Sequence, residues 1–143
     1  MSHFVNITTS IKDQKALIRA LERIGFKNKI EVYNTSQCLY GYQGDVRPQK
    51  AHVILRRKYV GSSSNDIGFE KLANGKFVAH ISEYDQGSGQ YAGGVGIYGQ
   101  QWQKKLNTYY GVEKCKLEFE KQKMKYVEDE DKDGRPRLMV LNM

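Results

Sequence analysis

The sequence predicts a single α+β domain, a mostly antiparallel sheet with two helices in the order β-α-β-β-β-β-α-β-β. Three observations carry that prediction. The chain has 143 residues, 39% of them hydrophobic, which is material for one core. Two segments show the 3.6-residue helical period, and short alternating stretches with turn residues fill the space between them. The strands come in runs rather than singly between helices, which points away from parallel crossovers.

Each element follows from its own residues. Val5, Ile7 and Ile11 fall at odd positions of SHFVNITTSI, a first strand. Asp13 reads as an N-cap. Ala16, Leu17, Ala20, Leu21 and Ile24 then form one stripe of the helix QKALIRALERIG, which Gly25 stops. KIEVYN and CLYGYQG are two short β-prone pieces with turn residues between them. AHVILRRKYV sets Ala51, Val53 and Leu55 against His52, Ile54 and Arg56, and so reads as one strand with a polar face. VGSSSN is a loop. DIGFEKL and KFVAHISEY make a hairpin around Ala73-Asn74-Gly75, because Asn-Gly supplies the positive φ angles of a tight turn. Residues 85–99 contain six glycines and no period, so they read as a flexible surface loop or lid without apolar anchors. A helix from about Gln100 to Lys123 comes next, with a break or strain expected at Gly111. Last, MKYVEDE and RPRLMVLN flank Asp131-Lys132-Asp133-Gly134 as a C-terminal hairpin.

Charge is the strongest functional signal. The net charge is +7, from 23 Lys and Arg against 16 Asp and Glu. Residues 1–60 carry 11 basic and four acidic side chains, whereas residues 61–143 carry 12 of each, so the whole excess lies in the first part. It is densest at Arg47, Lys50, Arg56, Arg57 and Lys58, a stretch without an acid. Tyr59 and the hydroxyls of Ser62, Ser63 and Ser64 follow directly. Guanidinium and ammonium groups, an aromatic face and hydroxyls suit a phosphate or a nucleic-acid backbone. At the end of a strand and beside a loop, these charges are expected to face solvent. The contrasting structural reading is an edge strand guarded by charge.

Two motifs are imitations. Gly94-Val95-Gly96-Ile97-Tyr98-Gly99 spells G-x-G-x-x-G, and GSGQYA just upstream fits the variant ending in alanine. A dinucleotide cradle needs a buried strand running into its first glycine, and DQGSGQYAG cannot form one. Asp129-x-Asp131-x-Asp133-Gly134 matches the opening of a calcium loop, but the twelfth position is Val140 rather than Glu. His3, His52 and His80 stand apart, and Cys38 and Cys115 suggest neither a disulfide framework nor a metal site. No catalytic residue, cofactor or metal is therefore expected. With no apolar run long enough for a membrane span and no signal-like start, the chain reads as soluble and cytoplasmic.

In order and spacing, Met1-Ser2-His3-Phe4, Gly41-Tyr42-Gln43-Gly44 and Asp66-Ile67-Gly68-Phe69 resemble the ycf thirty-five family. That family, a hypothetical chloroplast open reading frame, occurs in plastids, cyanobacteria, other bacteria and phages and is a domain of unknown function. The resemblance spans nearly the whole chain. It implies one compact domain, soluble in cytosol or plastid stroma, and supplies no activity or catalytic residue. The segment Gln86 to Gly99 is longer than in the compact plastid members.

The function expected is a non-catalytic binding or accessory module that engages an anionic partner, nucleic acid first, through the basic 47–59 segment. Two alternatives stay open. One is an accessory protein docking on a protein complex through its ten tyrosines. The other is a small enzyme with His52, His80 and Asp66 around a cleft.

Overall fold

The computed structural model describes residues 2–94 and 96–141. Five antiparallel strands form one sheet: β1 (Phe4–Thr8), β2 (Ile30–Tyr40), β3 (Val46–Leu55), β4 (Ile67–Lys71) and β5 (Phe77–Ser82). Their spatial order is β1-β5-β4-β3-β2, so β2 to β5 are a meander and β1 closes its far side against β5. Two long helices, α1 (Gln14–Leu21) and α4 (Gln100–Lys121), cover one face. A separate two-stranded hairpin, β6 (Tyr126–Glu130) and β7 (Pro136–Val140), follows α4. The α+β architecture is as the sequence predicts.

The helix-covered face holds the main core. Val53, Leu55, Ile67, Phe69, Phe77, Ala79 and Ile81 project from the sheet onto Ala16, Leu17, Ala20 and Leu21 of α1 and Leu106 and Tyr110 of α4. Asp13 caps α1 as expected, its carboxylate accepting from the Ala16 N–H at 3.1 Å. Tyr110 fixes the entry to that helix from outside, its hydroxyl accepting from the N–H groups of Lys12 and Asp13. A π turn, Glu22–Phe26, follows it, and Gly25 breaks the helical path there at φ +116°, a conformation that other residues adopt only with strain.

Between α1 and α4 lies a charge network. Glu113 is only 3% exposed and accepts from Arg19 and Arg23, each at 2.8 Å, with Lys116 at 3.1 Å. Burial alone would raise its pKa, but hydrogen bonds from Arg23, Lys116 and Arg19 outweigh that and hold it below the ordinary glutamate value. Arg23 and Lys116 reach on to Glu128 of β6, which ties the hairpin to the helical layer.

Four sequence expectations need correction. The two β-prone pieces after α1 are one strand, β2, which bends at register shifts between Val32 and Gln37 and between Cys38 and Tyr40. Extra residues on one strand of a pair increase its bend and twist. The bent β2–β3 arm folds over the second face of the sheet, where Leu39, Ala51 and Ile54 form a smaller core with Phe4 and Tyr33. Gly68 permits this, because a Cβ there would lie 2.6 Å from Ala51 Cβ and 2.8 Å from Leu39 Cδ2. Secondly, the strand expected over residues 51–60 stops at Leu55, and Arg57–Val60 form a helical turn, α2. Asp66 causes the switch by accepting the Arg57 N–H at 2.7 Å. Thirdly, α4 runs unbroken through Gly111, which faces open space.

The fourth correction concerns the glycine-rich segment. It begins with a short helix, α3 (Glu83–Gln86), and a 3₁₀ turn at Gly89–Tyr91. Tyr98 anchors its far end, buried against Phe26 and Trp102 and donating its hydroxyl to the Val60 carbonyl at 2.9 Å. Of the Gly94–Gly99 fingerprint, Val95 lies outside the described residues, as does Met1 of the opening motif. Gly96 does make a close approach, but to its own chain: a Cβ there would meet Gly87 N at 2.2 Å and the Tyr84 carbonyl oxygen at 2.6 Å.

Candidate functional site

Segment 56–66 leaves β3, turns through α2 and returns to β4. Asp66 organises it. Its carboxylate is completely buried and accepts from the Tyr40 N–H at 2.7 Å, Arg56 Nη1 at 2.9 Å and the Arg57 N–H. Arg56 also donates to Glu31 at 2.9 Å and to the Cys38 carbonyl at 3.4 Å, and its guanidinium lies 5.3 Å from the Tyr40 ring centroid. Burial of Arg56 works against its charge, but the hydrogen bonds it donates to Glu31 and Asp66 more than offset this and raise its pKa. Arg57 donates to the carbonyls of Ser64 and Tyr42, clamping the serine loop to the β2–β3 turn. Asn65 Oδ1 accepts the Tyr42 N–H at 2.8 Å.

The candidate binding residues therefore divide into two groups. Arg56 and Arg57 are half-buried with guanidinium N–H groups engaged within the chain, Arg56 by Glu31 and Asp66 and Arg57 by two carbonyls, which corrects the expectation that they face solvent; an arginine ending a strand beside a buried aspartate is a fastener. Arg47 behaves likewise, donating to Asp45 and to the Ser2 carbonyl, with its guanidinium 5.8 Å from the Phe4 ring centroid. Lys50 and Lys58 are exposed. Tyr59 is 40% exposed, with Lys58 Nζ 4.9 Å and Lys29 Nζ 5.8 Å from its ring centroid. Lys50 pairs in register with Cys38, whose carbonyl accepts from Arg56. Ser62 and Ser63 are exposed, whereas Ser64 is buried.

Arg56, Arg57, Lys58, Tyr40, Glu31, Gly44 and Asp66 line one open concavity of about 340 Å³. Within it, the two acids Glu31 and Asp66 balance Arg56 and Arg57, while Lys58 and, beside it, Lys29 carry the surplus positive charge. Lys29 and Tyr40 escaped the sequence reading. Neither carried a local signal: the register Ile30↔Leu55 is what places Lys29 beside Arg56, and Tyr40 comes in through the irregular end of β2.

The histidine constellation does not assemble around Asp66. His80 is buried on β5 between Asn6 Oδ1 at 2.8 Å and Glu70 Oε1 at 2.9 Å, while His52 Nδ1 accepts the Lys71 N–H. Asp66 lies before β4 and is occupied by Tyr40, Arg56 and Arg57. Among the described residues, no three His, Cys, Asp or Glu side chains are grouped to hold a metal ion, and no helix is long and apolar enough to cross a membrane. Comparison with protein-family models, curated proteins and solved structures finds no match to this chain.

Proposed function

We propose that this protein is a non-catalytic binding module for an anionic partner, and that the partner is single-stranded nucleic acid. One observation carries the reading: two solvent-facing tyrosines each sit beside cations, Tyr40 in the wall of the concavity at Arg56, and Tyr59, next in the chain to the lining Lys58, at Lys58 and Lys29. Exposed rings offer bases a stacking surface, and the lysines beside them offer phosphates a counter-charge, the combination by which single strands are held without base-specific contacts. Lys29, Lys50 and Lys58 supply the charge in this reading, and Arg47, Arg56 and Arg57 hold the platform together. The cytoplasm, or the stroma for a plastid-encoded member of the ycf thirty-five family, is the compartment proposed. Of the three motifs behind the resemblance to that family, Ser2 accepts from Arg47, Tyr42 from Arg57 and Asp66 from Arg56.

Fluorescence anisotropy with a labelled oligothymidylate tests the proposal. Tyr59→Ala should weaken oligonucleotide binding by roughly fivefold or more, since stacking on one aromatic side chain is worth about 1–3 kcal/mol per base. The same variant should bind polyphosphate, which has no base to stack, as the wild type does. Equal losses on both polyanions, or none on either, would remove the nucleic-acid assignment.

A second reading, docking on another protein, has one observation in its favour. Val127 and Met139 face each other across the β6–β7 hairpin and are 40% and 43% exposed, an apolar pair open to solvent. Val127→Lys separates the two readings, because it should leave oligonucleotide binding unchanged.

A further inference from the structure

The second side of the 56–66 segment opens on a different cavity. Its walls are Val60 to Ser64 on one side and Tyr84, Asp85, Gly96, Ile97 and Tyr98 on the other, and it encloses about 180 Å³. The serine loop and the glycine-rich segment, unrelated in the sequence, thus meet around one carboxylate.

That carboxylate, on Asp85, is unlike the other buried acids. Asp66 has Arg56 against it, and Glu113 has Arg19, Arg23 and Lys116. Asp85 is 2% exposed, yet among the described residues its partners are neutral: the Asn65 N–H at 3.2 Å, the Ser82 hydroxyl at 2.6 Å and the Ser64 hydroxyl. Burial pushes its pKa up, and those neutral donors only partly counter this. A carboxylate taken out of water without a cation is costly, and one that also faces an open cavity is where a functional reason is expected. A Cβ on Gly61 would strike Ser64 Oγ at 2.7 Å, and Gly96 packs on the α3 backbone.

We propose that this cavity is a binding site for a small organic cation, a primary ammonium or guanidinium group, whose positive charge meets Asp85. The ammonium or guanidinium N–H donors complete the carboxylate's hydrogen bonding, the hydroxyls of Ser62 and Ser63 accept at the mouth, and the Tyr84 and Tyr98 side chains border the alkyl portion. Cations also gain from neighbouring aromatic faces. The volume suits a group of a few heavy atoms, either a free amine or the end of a partner's lysine or arginine side chain. The site is separate from the nucleic-acid concavity, so either assignment can fail alone.

Amide chemical-shift titration reads the site directly, with Asn65 and Gly96 as reporters. The probes are n-propylammonium and methylguanidinium as free cations, the tripeptide Gly-Lys-Gly as a side-chain cation, and n-propanol and urea as neutral matches. The proposal expects saturable shifts with at least one cationic probe at a dissociation constant tighter than about 10 mM, and none with the neutral ones. Tighter binding of the free cations identifies a small-molecule site, and tighter binding of the tripeptide identifies a partner's side chain; both support the assignment. Asp85→Asn, if folded, should weaken binding by about tenfold or more, the scale of one charge-assisted contact. Because Asp85 also holds Asn65, that variant can unfold, and Ser63→Trp, which fills the mouth from an exposed position, then decides by the same loss. No shifts with any cation, equal shifts with the neutral probes, or undiminished binding in the deciding variant would overturn the proposal.

Discussion

Replacing Gly96 with alanine puts one methyl group where the chain has no room for it. The nearest atoms to the new Cβ would be Gly87 N at 2.2 Å, the Tyr84 carbonyl oxygen at 2.6 Å and the Gln86 carbonyl carbon at 2.7 Å. All three are backbone, in and just after α3, so no rotamer change can relieve the clash. Either α3 shifts off the end of β5 or the segment carrying Tyr98 lifts away. Overpacking ordinarily costs about 1–3 kcal/mol, and contact with backbone on three sides places this substitution near 3 kcal/mol. For a domain of this size that lowers the midpoint of thermal unfolding by roughly 10 °C. Gly94→Ala, by contrast, would meet one atom at 3.0 Å, the Tyr91 carbonyl oxygen, and should cost about 1 kcal/mol or less. Circular dichroism melts and urea titration of the two variants check the ranking. A Gly96→Ala loss below about 0.5 kcal/mol would refute the packed-segment argument and restore the flexible loop that glycine content alone suggests.

Gly111→Ala should act in the opposite direction, since Gly111 is mid-helix with nothing within 4 Å of its missing Cβ; a gain of about 0.5–1 kcal/mol in urea is expected. Glu113→Gln should cost on the order of 2–3 kcal/mol, because it removes a buried charge shared by Arg19, Arg23 and Lys116. Its folded pKa is depressed, so the stability it contributes is present above the ordinary glutamate pKa and is lost as pH falls through the lower folded value. Urea unfolding between about pH 6 and pH 3 should accordingly show a smaller pH dependence in the Gln variant than in the wild type. Calcium at millimolar concentration should leave the melting temperature unchanged, because Asp129 is paired with Arg137 and Asp131 Oδ1 accepts the N–H groups of Asp133 and Arg135. A calcium-dependent rise of several degrees would overturn the turn assignment.

Local periodicity made much of this fold legible. The stripe Ala16, Leu17, Ala20 and Leu21 and the Asn74-Gly75 turn announce their elements within a few residues. Two things are not local. The bend in β2 comes from unequal residue counts on paired strands, which no single strand displays. The end of β3 is set by Asp66, which competes for the backbone of Arg57 from nine residues away. The same carboxylate explains why Arg56 and Arg57 look like a binding patch in sequence: a run of cations reads alike whether its partners are phosphates or buried acids elsewhere in the chain. Lys58 and Tyr59, by contrast, keep the exposed character that their sequence suggested. For the glycine-rich segment, composition pointed to flexibility, and Tyr98, an anchor 13 residues after Asp85, was the available contrary signal.

The most direct test of the nucleic-acid reading is the salt dependence of oligonucleotide affinity. Each phosphate neutralised on a single strand contributes a slope of about −0.7 in log K against log salt, so contacts through Lys29, Lys50 and Lys58 predict a slope near −2. Replacing Lys29 and Lys58 with Gln should bring it to about −0.7, while the Arg56–Asp66 fastening leaves the fold intact. A slope near zero, an unchanged slope in the double variant, or affinity weaker than about 10⁻⁴ M at low salt would contradict the account.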